Sequence, residues 1–194
     1  MMRIITGTAR GVRLASLEGE TTRPTAERVK EAIFSSIQFE IEGRAVLDLF
    51  GGSGQMGLEA LSRGAASAMF VDSSADAMAI IKENAKKTGF FGDCRFLISD
   101  YRSYLRKAAG RDGYHLIFID PPYAAELCGD ALERILASGL ARTGCLLVCE
   151  SGSPEIFRGH EAIRSRFEVV KYQRYGVAHV HILRLLPESE ASEA

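Results

Sequence analysis

The residues of this chain that could do chemistry begin at Val46-Leu47-Asp48. There an apolar run ends on a carboxylate, passes through Leu49 and Phe50, and enters the turn Gly51-Gly52-Ser53-Gly54 before a helical pattern starts. Glycines in such a turn adopt positive φ without steric penalty and let a ligand lie close to the backbone, facing the free N–H groups of the next helix. The pattern predicts strand, ligand-cradling turn and helix, and so a cofactor site. Gly52, Gly54 and Gly57 also fit the dinucleotide spacing G-x-G-x-x-G, with the acid Asp72 ending the next apolar run. Two features favour S-adenosylmethionine over a nicotinamide dinucleotide: Asp48 itself, and Asp120-Pro121-Pro122-Tyr123 closing a later run. A carboxylate directly before the turn sits poorly beside a pyrophosphate and suits the cationic methionine end of that cofactor.

The elements that must position these residues alternate regularly. Apolar runs at Ala45 to Phe50, Ala68 to Val71, Arg95 to Ile98, Leu116 to Ile119 and Cys145 to Cys149 predict strands. Between them stand helical patterns through Leu58-Glu59-Ala60-Leu61, at Ala75 to Lys87, at Tyr101 to Ala108 and around Leu127 to Leu136. Strands separated by helices imply a parallel sheet that binds ligands at the carboxyl ends of its strands. Asp48, Asp72, Asp100, Asp120 and Glu150 all stand at those ends, and their convergence on one edge is stronger evidence of a site than any one of them. Singly, Asp100 could cap a helix and Glu150 could be a surface residue. Two β-type runs, Phe167 to Tyr172 and Val177 to Leu183, are joined closely enough to require an antiparallel pair. A parallel sheet finished by such a hairpin departs from the dinucleotide-binding arrangement and matches the methyltransferase one. His179 and His181 share a strand face without a third metal ligand at suitable spacing, so no metal is expected.

Before the repeat, Arg3-Ile4-Ile5-Thr6 and Gly11-Val12-Arg13-Leu14 flank a Gly7-Thr8-Ala9-Arg10 turn and predict a hairpin. Arg3, Arg10 and Arg13 meet no acid in sequence before Glu18, so this edge could touch phosphate or simply be a solvated face. Pro24 fixes an extended entry to a helix over Ala26 to Gln38 that Thr25 can cap, with Val29, Ile33, Phe34 and Ile37 on one buried face. Arg23 and Arg28 then point at the cofactor cleft or decorate the surface. The expected organisation is a hairpin-and-helix appendage over residues 1–43, a catalytic domain over 44–186 and a disordered acidic tail over 187–194. With 24 basic against 25 acidic residues, the net charge of −1 carries no global signal for nucleic acid. Cys94, Cys128, Cys145 and Cys149 lack C-x-x-C spacing and read as free thiols, and neither a signal peptide nor a membrane span is visible, so a cytoplasmic protein is expected.

Met2-Arg3-Ile4-Ile5-Thr6-Gly7, Thr22-Arg23-Pro24-Thr25 with Arg28, the Val46 to Gly54 stretch, Gly57 to Ala65 and Asp120 to Tyr123 together resemble the RsmD-type bacterial methyltransferases of small-subunit ribosomal RNA. The resemblance covers most of the chain. Departures are mild: Gly51 stands where the family often has alanine, and Asp72-Ser73 replaces a common glutamate and a larger polar residue. It implies a Rossmann-like class I fold with a mostly parallel seven-stranded sheet, an antiparallel C-terminal hairpin, and an N-terminal β-hairpin and helix. The implied activity is methyl transfer from S-adenosylmethionine to the N2 amino group of a guanine in 16S ribosomal RNA, by a monomer acting on an assembling small subunit.

The implied cofactor residues are Asp48, Phe50, Gly51, Gly52, Ser53, Gly54, Asp72, Ser73, Asp100 and Tyr101, with Arg23 and Thr25 beside them. Within that set, Asp72 would accept from the ribose, Asp100 would meet the adenine amino group, and Ile98, Ser99 and Tyr101 would wall the adenine. The implied catalytic residues are Asp120, Pro121 and Tyr123, and the implied RNA contacts are Arg3, Arg10, Arg13 and Arg28. The competing expectations are a DNA adenine or cytosine amino methyltransferase, a nicotinamide oxidoreductase, and a non-catalytic RNA-binding module on the same scaffold.

Overall fold

The computed structural model of the chain describes residues 2–17, 24–111, 113–122 and 127–188. Its helices are α1 (Pro24–Ser36), α2 (Gln55–Ser62), α3 (Ala75–Thr88), α4 (Tyr101–Ala108) and α5 (Cys128–Ser138). Its strands are β1 (Ala45–Asp48), β2 (Ser67–Asp72), β3 (Cys94–Ile98), β4 (Tyr114–Ile119), β5 (Ala141–Ser151), β6 (Phe167–Tyr175) and β7 (Ala178–Leu185). The strands form one sheet in the order β3-β2-β1-β4-β5-β7-β6. β1, β2 and β3 pair in parallel, as do β4 and β5, whereas β7 runs antiparallel to both β5 and β6.

The chain divides into two compact units, Met1–Tyr101 and Arg102–Ala194. In the first, Val46, Leu47, Phe70 and Val71 are buried in the strands, and Leu58, Ala60, Met78 and Ile81 of α2 and α3 complete the core. Continuous apolar runs suit parallel strands covered on both faces. In the second unit, Leu116 to Ile119, Cys145 to Cys149 and Ile182 to Leu183 are buried, while α5 adds Ala131, Leu132 and Ile135. Cys94, Cys128, Cys145 and Cys149 are free thiols. Among the described residues no helix is long and apolar enough to cross a membrane.

At the N-terminus the two expected β-type segments do run antiparallel. Ile4 N donates to Val12 O at 3.0 Å and Leu14 N to Met2 O at 3.0 Å, around a single bridge between Arg3 and Arg13, a pairing too brief to make full strands. The first helix corrects one expectation. It begins at Pro24, whose fixed φ suits the first helical position, so Thr25 stands inside the first turn and does not precede it as a cap. It ends at Ser36, and a short 3₁₀ turn occupies Gln38–Glu40. Val29, Ile33, Phe34 and Ile37 form the buried face that their spacing predicts.

Candidate active site

Each acid expected at a strand end is placed by its strand. Asp48 is the last residue of β1 and Asp72 the last of β2; Asp100 follows β3 by two residues, Asp120 follows β4 directly, and Glu150 is the penultimate residue of β5. Their environments differ sharply: Asp48 is 2% exposed, whereas Asp100 and Asp120 lie at the surface.

After Asp48 the backbone passes through positive φ at Gly52 (53°) and Gly54 (78°), and Gly54 opens α2. Asp72 shapes this turn. Its Oδ2 accepts from Gly52 N at 2.8 Å, its Oδ1 accepts from Ser74 N at 2.8 Å, and Gly51 N donates to Val71 O at 2.9 Å. Ser74 caps α3, its hydroxyl accepting from Ala77 N. Gly57, one turn into α2, donates its N–H to Asp48 Oδ2 at 3.1 Å. No larger residue fits there, because a Cβ on Gly57 would lie 2.5 Å from the Phe70 ring.

Burial pushes the Asp48 carboxyl from 3.8 up to about 7; the bond from Gly57 opposes the rise and the nearby Asp72 charge adds to it. A buried carboxylate of this kind is costly unless a cation meets it. Beyond the turn, Phe50 packs on Tyr101 with ring centroids 5.0 Å apart. Tyr101 is only 8% exposed and so backs Phe50, while Ile98, at the end of β3, is 53% exposed. Ser99 N is tied to Asp72 O at 2.9 Å, and Ser73 is exposed beside it.

The first unit therefore brings together Asp48, Phe50, Gly51 to Gly54, Asp72, Ser73 and Tyr101. In the second unit, Asp120 is exposed and Pro121 buried. Arg23 and Tyr123 lie outside the described residues, as does the side chain of Thr25. Of the arginines expected to meet RNA, Arg10, Arg13 and Arg28 are exposed. The expectation that no acid accompanies the hairpin is corrected for Arg3, whose Nε lies 2.7 Å from Glu27 Oε1 across the gap to α1.

Three polar residues escaped the sequence reading because their partners are distant in the chain. Glu59 of α2, fully buried, accepts from Ile5 N (2.7 Å) and Thr6 N (3.0 Å) and pairs with Lys30 (3.7 Å) and Arg63 (2.9 Å). Ser62 accepts from Ala9 N and donates to Thr6 O. Asn84, fully buried in α3, bonds Ala15 and Ser53. The only signal available beforehand was the position of Glu59 and Asn84 amid the apolar residues of their helices.

A mostly parallel seven-stranded sheet ending in an antiparallel pair, with a glycine turn and an acid at each of its first two strand ends, is the class I S-adenosylmethionine-dependent methyltransferase fold. The family model described as "Conserved hypothetical protein 95" matches residues 2–184. The chain belongs to that family, the RsmD-type methyltransferases. It is 32% identical to Ribosomal RNA small subunit methyltransferase D of Escherichia coli K12 over 151 residues, 77% of this chain and 74% of that one. YlbH of Bacillus subtilis is 42% identical over 123 residues, 63% of this chain and 67% of its own. The solved structure of yhhF from Escherichia coli superposes with a TM-score of 0.83 at 26% identity, covering 96% of this chain and 99% of that one.

Proposed function

We propose that this chain transfers a methyl group from S-adenosylmethionine to the exocyclic N2 amino group of a guanine in small-subunit ribosomal RNA, acting as a cytoplasmic monomer on an assembling subunit. The observation that carries the reading is the buried Asp48 carboxyl behind the Gly51 to Gly54 turn, in a chain whose relatives include a named small-subunit ribosomal RNA methyltransferase.

The residues present fit that cofactor. Burial leaves Asp48 half protonated near neutral pH, and a cationic amino-acid end would restore its charge with a partner of opposite sign. Each Asp72 oxygen takes one backbone N–H, which leaves acceptor sites for two ribose hydroxyls. Exposed Ile98 offers an apolar surface for the adenine, with Ser99 beside it, Tyr101 backing Phe50, and Asp100 an acceptor for the amino group. When bound, S-adenosylmethionine supplies an electrophilic methyl group on a positively charged sulfur.

The remaining work falls to Asp120, Pro121 and Tyr123. Asp120 and the Pro121 carbonyl accept the two hydrogen bonds of the target amino group, which turns the nitrogen lone pair out of conjugation with the ring and aims it for in-line attack. Proline serves because its carbonyl accepts while it brings no competing N–H. Tyr123 stacks on the base, which must be unpaired or flipped out to reach the site. Orientation dominates the rate, and Asp120 acts as acceptor and electrostatic stabiliser without being a strong base. Arg3, Arg10, Arg13 and Arg28 contact RNA phosphates, with Arg3 exchanging Glu27 for the ligand.

Asp120→Ala tests the chemistry. It should leave binding of S-adenosylhomocysteine and RNA intact and lower the single-turnover methyl-transfer rate by roughly 10- to 100-fold. One charge-assisted hydrogen bond is worth ~1.5–3 kcal/mol, and ~1.4 kcal/mol is tenfold in rate. Wild-type chemistry in that variant would remove Asp120 from the mechanism.

A further inference from the structure

The N-terminal arm, residues 2–17, is pinned to the two helices that flank the glycine turn. Glu59 takes the N–H groups of Ile5 and Thr6, Ser62 Oγ takes that of Ala9 at 3.0 Å, and Thr8 N donates to Ser62 O at 2.8 Å. The fit at this contact is close enough to require Gly7, whose φ is +89° and whose Cβ, if present, would lie 1.7 Å from the Ser62 carbonyl. Ile4, Ala9 and Leu14 anchor the arm as buried apolar residues. The bonds to Glu59 and Ser62 all reach α2, the helix that Gly54 opens.

Two contacts reach the turn itself. Ser53 Oγ donates to Met2 Sδ at 3.0 Å. The second runs through Asn84. Its Oδ1 accepts from Ala15 N at 2.8 Å, and its Nδ2 donates to Ala15 O and to Ser53 O, both at 2.9 Å. Asn84 thus imitates one rung of a β-ladder toward the arm and spends its other amide hydrogen on the turn. With both amide hydrogens so used and the side chain fully buried, it has no donor left for a ligand. Its role is mechanical: the carbonyl of Ser53 is held by a group that is also held by the arm.

We infer that Asn84 is a positioning residue that couples the arm to the cofactor turn, so that RNA and cofactor bind this protein cooperatively. The inference rests on the function proposed above, which gives the arm to RNA and the turn to S-adenosylmethionine. RNA phosphates drawn to Arg3, Arg10 and Arg13 restrain the docked arm further; a more tightly held arm fixes Ala15, and Ala15 fixes Ser53 through Asn84. A turn already fixed costs the cofactor less ordering when it binds. The coupling is reciprocal, so cofactor also tightens RNA binding by the same factor.

The test measures S-adenosylhomocysteine affinity by calorimetry with and without saturating, unmodified, in vitro transcribed small-subunit ribosomal RNA, in wild type and in Asn84→Ala. In the wild type the RNA should tighten binding at least about fivefold, the lower end of ordinary allosteric coupling. In Asn84→Ala the coupling factor should fall to near one, and affinity without RNA should also weaken. Amide hydrogen exchange supplies a measurement on the wild type alone: RNA should slow exchange at Gly54 and Gly57, which the proposal places beyond the reach of the RNA phosphates. A wild type that binds no S-adenosylhomocysteine would overturn the reading of the site and the coupling with it. A wild type that binds it equally well with and without RNA, or an Asn84→Ala protein that keeps the full factor, would overturn the coupling alone.

Discussion

Asp48 illustrates how one side chain can trade stability for binding. Its carboxyl holds its proton up to about pH 7 in the folded chain, against an ordinary value of 3.8, chiefly because burial penalises the charge. An acid that binds its proton more tightly when folded contributes stability that is fully present below about pH 4 and is lost as the pH rises through about 7. At ~1.4 kcal/mol per unit, the loss amounts to about 4 kcal/mol. Asp48→Asn removes the titration, so its melting temperature should exceed that of the wild type at pH 8 and approach it at pH 4. Binding should show the opposite benefit. A cationic ligand end selects the ionised carboxyl, so S-adenosylhomocysteine affinity in the wild type should climb by up to about tenfold per pH unit below 7 and level off above it. In Asp48→Asn the profile should be flat and the affinity lower. A pH-independent wild type would show that Asp48 does not face the cation.

At the scale of the element, α2 is the piece on which arm and turn both depend, and Glu59 is its centre. The carboxylate is fully buried with Lys30 (3% exposed) and Arg63 (12% exposed) as its cationic partners. Burial lowers the Lys30 pKa, while Glu59 and Glu27 work to raise it. Glu59→Ala strips the buried Lys30 of its carboxylate partner, leaving it only the Arg3 carbonyl at 2.7 Å, and takes the acceptor from two part-buried arm N–H groups, so it should destabilise the protein by about 3–5 kcal/mol in chemical denaturation. Glu59→Gln keeps the acceptor for one N–H and should cost less. A loss under about 1 kcal/mol for Glu59→Ala would mean that the arm is not docked through this residue.

The same element shows what the sequence could disclose. The strand before Asp48 and the glycine turn after it were legible because their signals are local: an apolar run, an acid, glycines at fixed spacing, then a 3.6-residue period. Most strand and helix positions followed within one or two residues for the same reason. Glu59, Ser62 and Asn84 were not legible as anchors. A polar residue in an amphipathic pattern ordinarily faces water, and these three are held inside by partners that include Ile5, Ala9 and Ala15, 53 to 69 residues away. The start of α1 differs from the sequence expectation because Pro24, which suits an extended entry, also suits the first helical position. The pairing of Arg3 with Glu27 was hidden for the same non-local reason as the anchors.

At the scale of the whole molecule, a net charge of −1 gives no attraction for RNA, so binding must come from a local cationic face. The arm supplies one: Arg3 and Arg13 sit opposite each other across the bridge, where like charges repel unless an anion is shared, and Arg10 is exposed on the intervening turn. Converting Arg3, Arg10 and Arg13 together to Ala should weaken RNA binding and lower the slope of log affinity against log salt by roughly 2 to 3, while sparing cofactor affinity in the absence of RNA. An unchanged salt slope would leave the arm a structural edge.

Methyl transfer to the guanine amino group is read most directly from its product. Small-subunit ribosomal RNA and small subunits from a strain lacking this methyltransferase are incubated with the protein and S-adenosylmethionine carrying a labelled methyl group, the RNA is digested to nucleosides, and the labelled species is identified by mass spectrometry. The expected result is label in N2-methylguanosine alone, at about one methyl per RNA, accumulating roughly 10- to 100-fold more slowly with Asp120→Ala. Label in an adenine or cytosine amino group, label in DNA in preference to RNA, or no transfer to either substrate would contradict it.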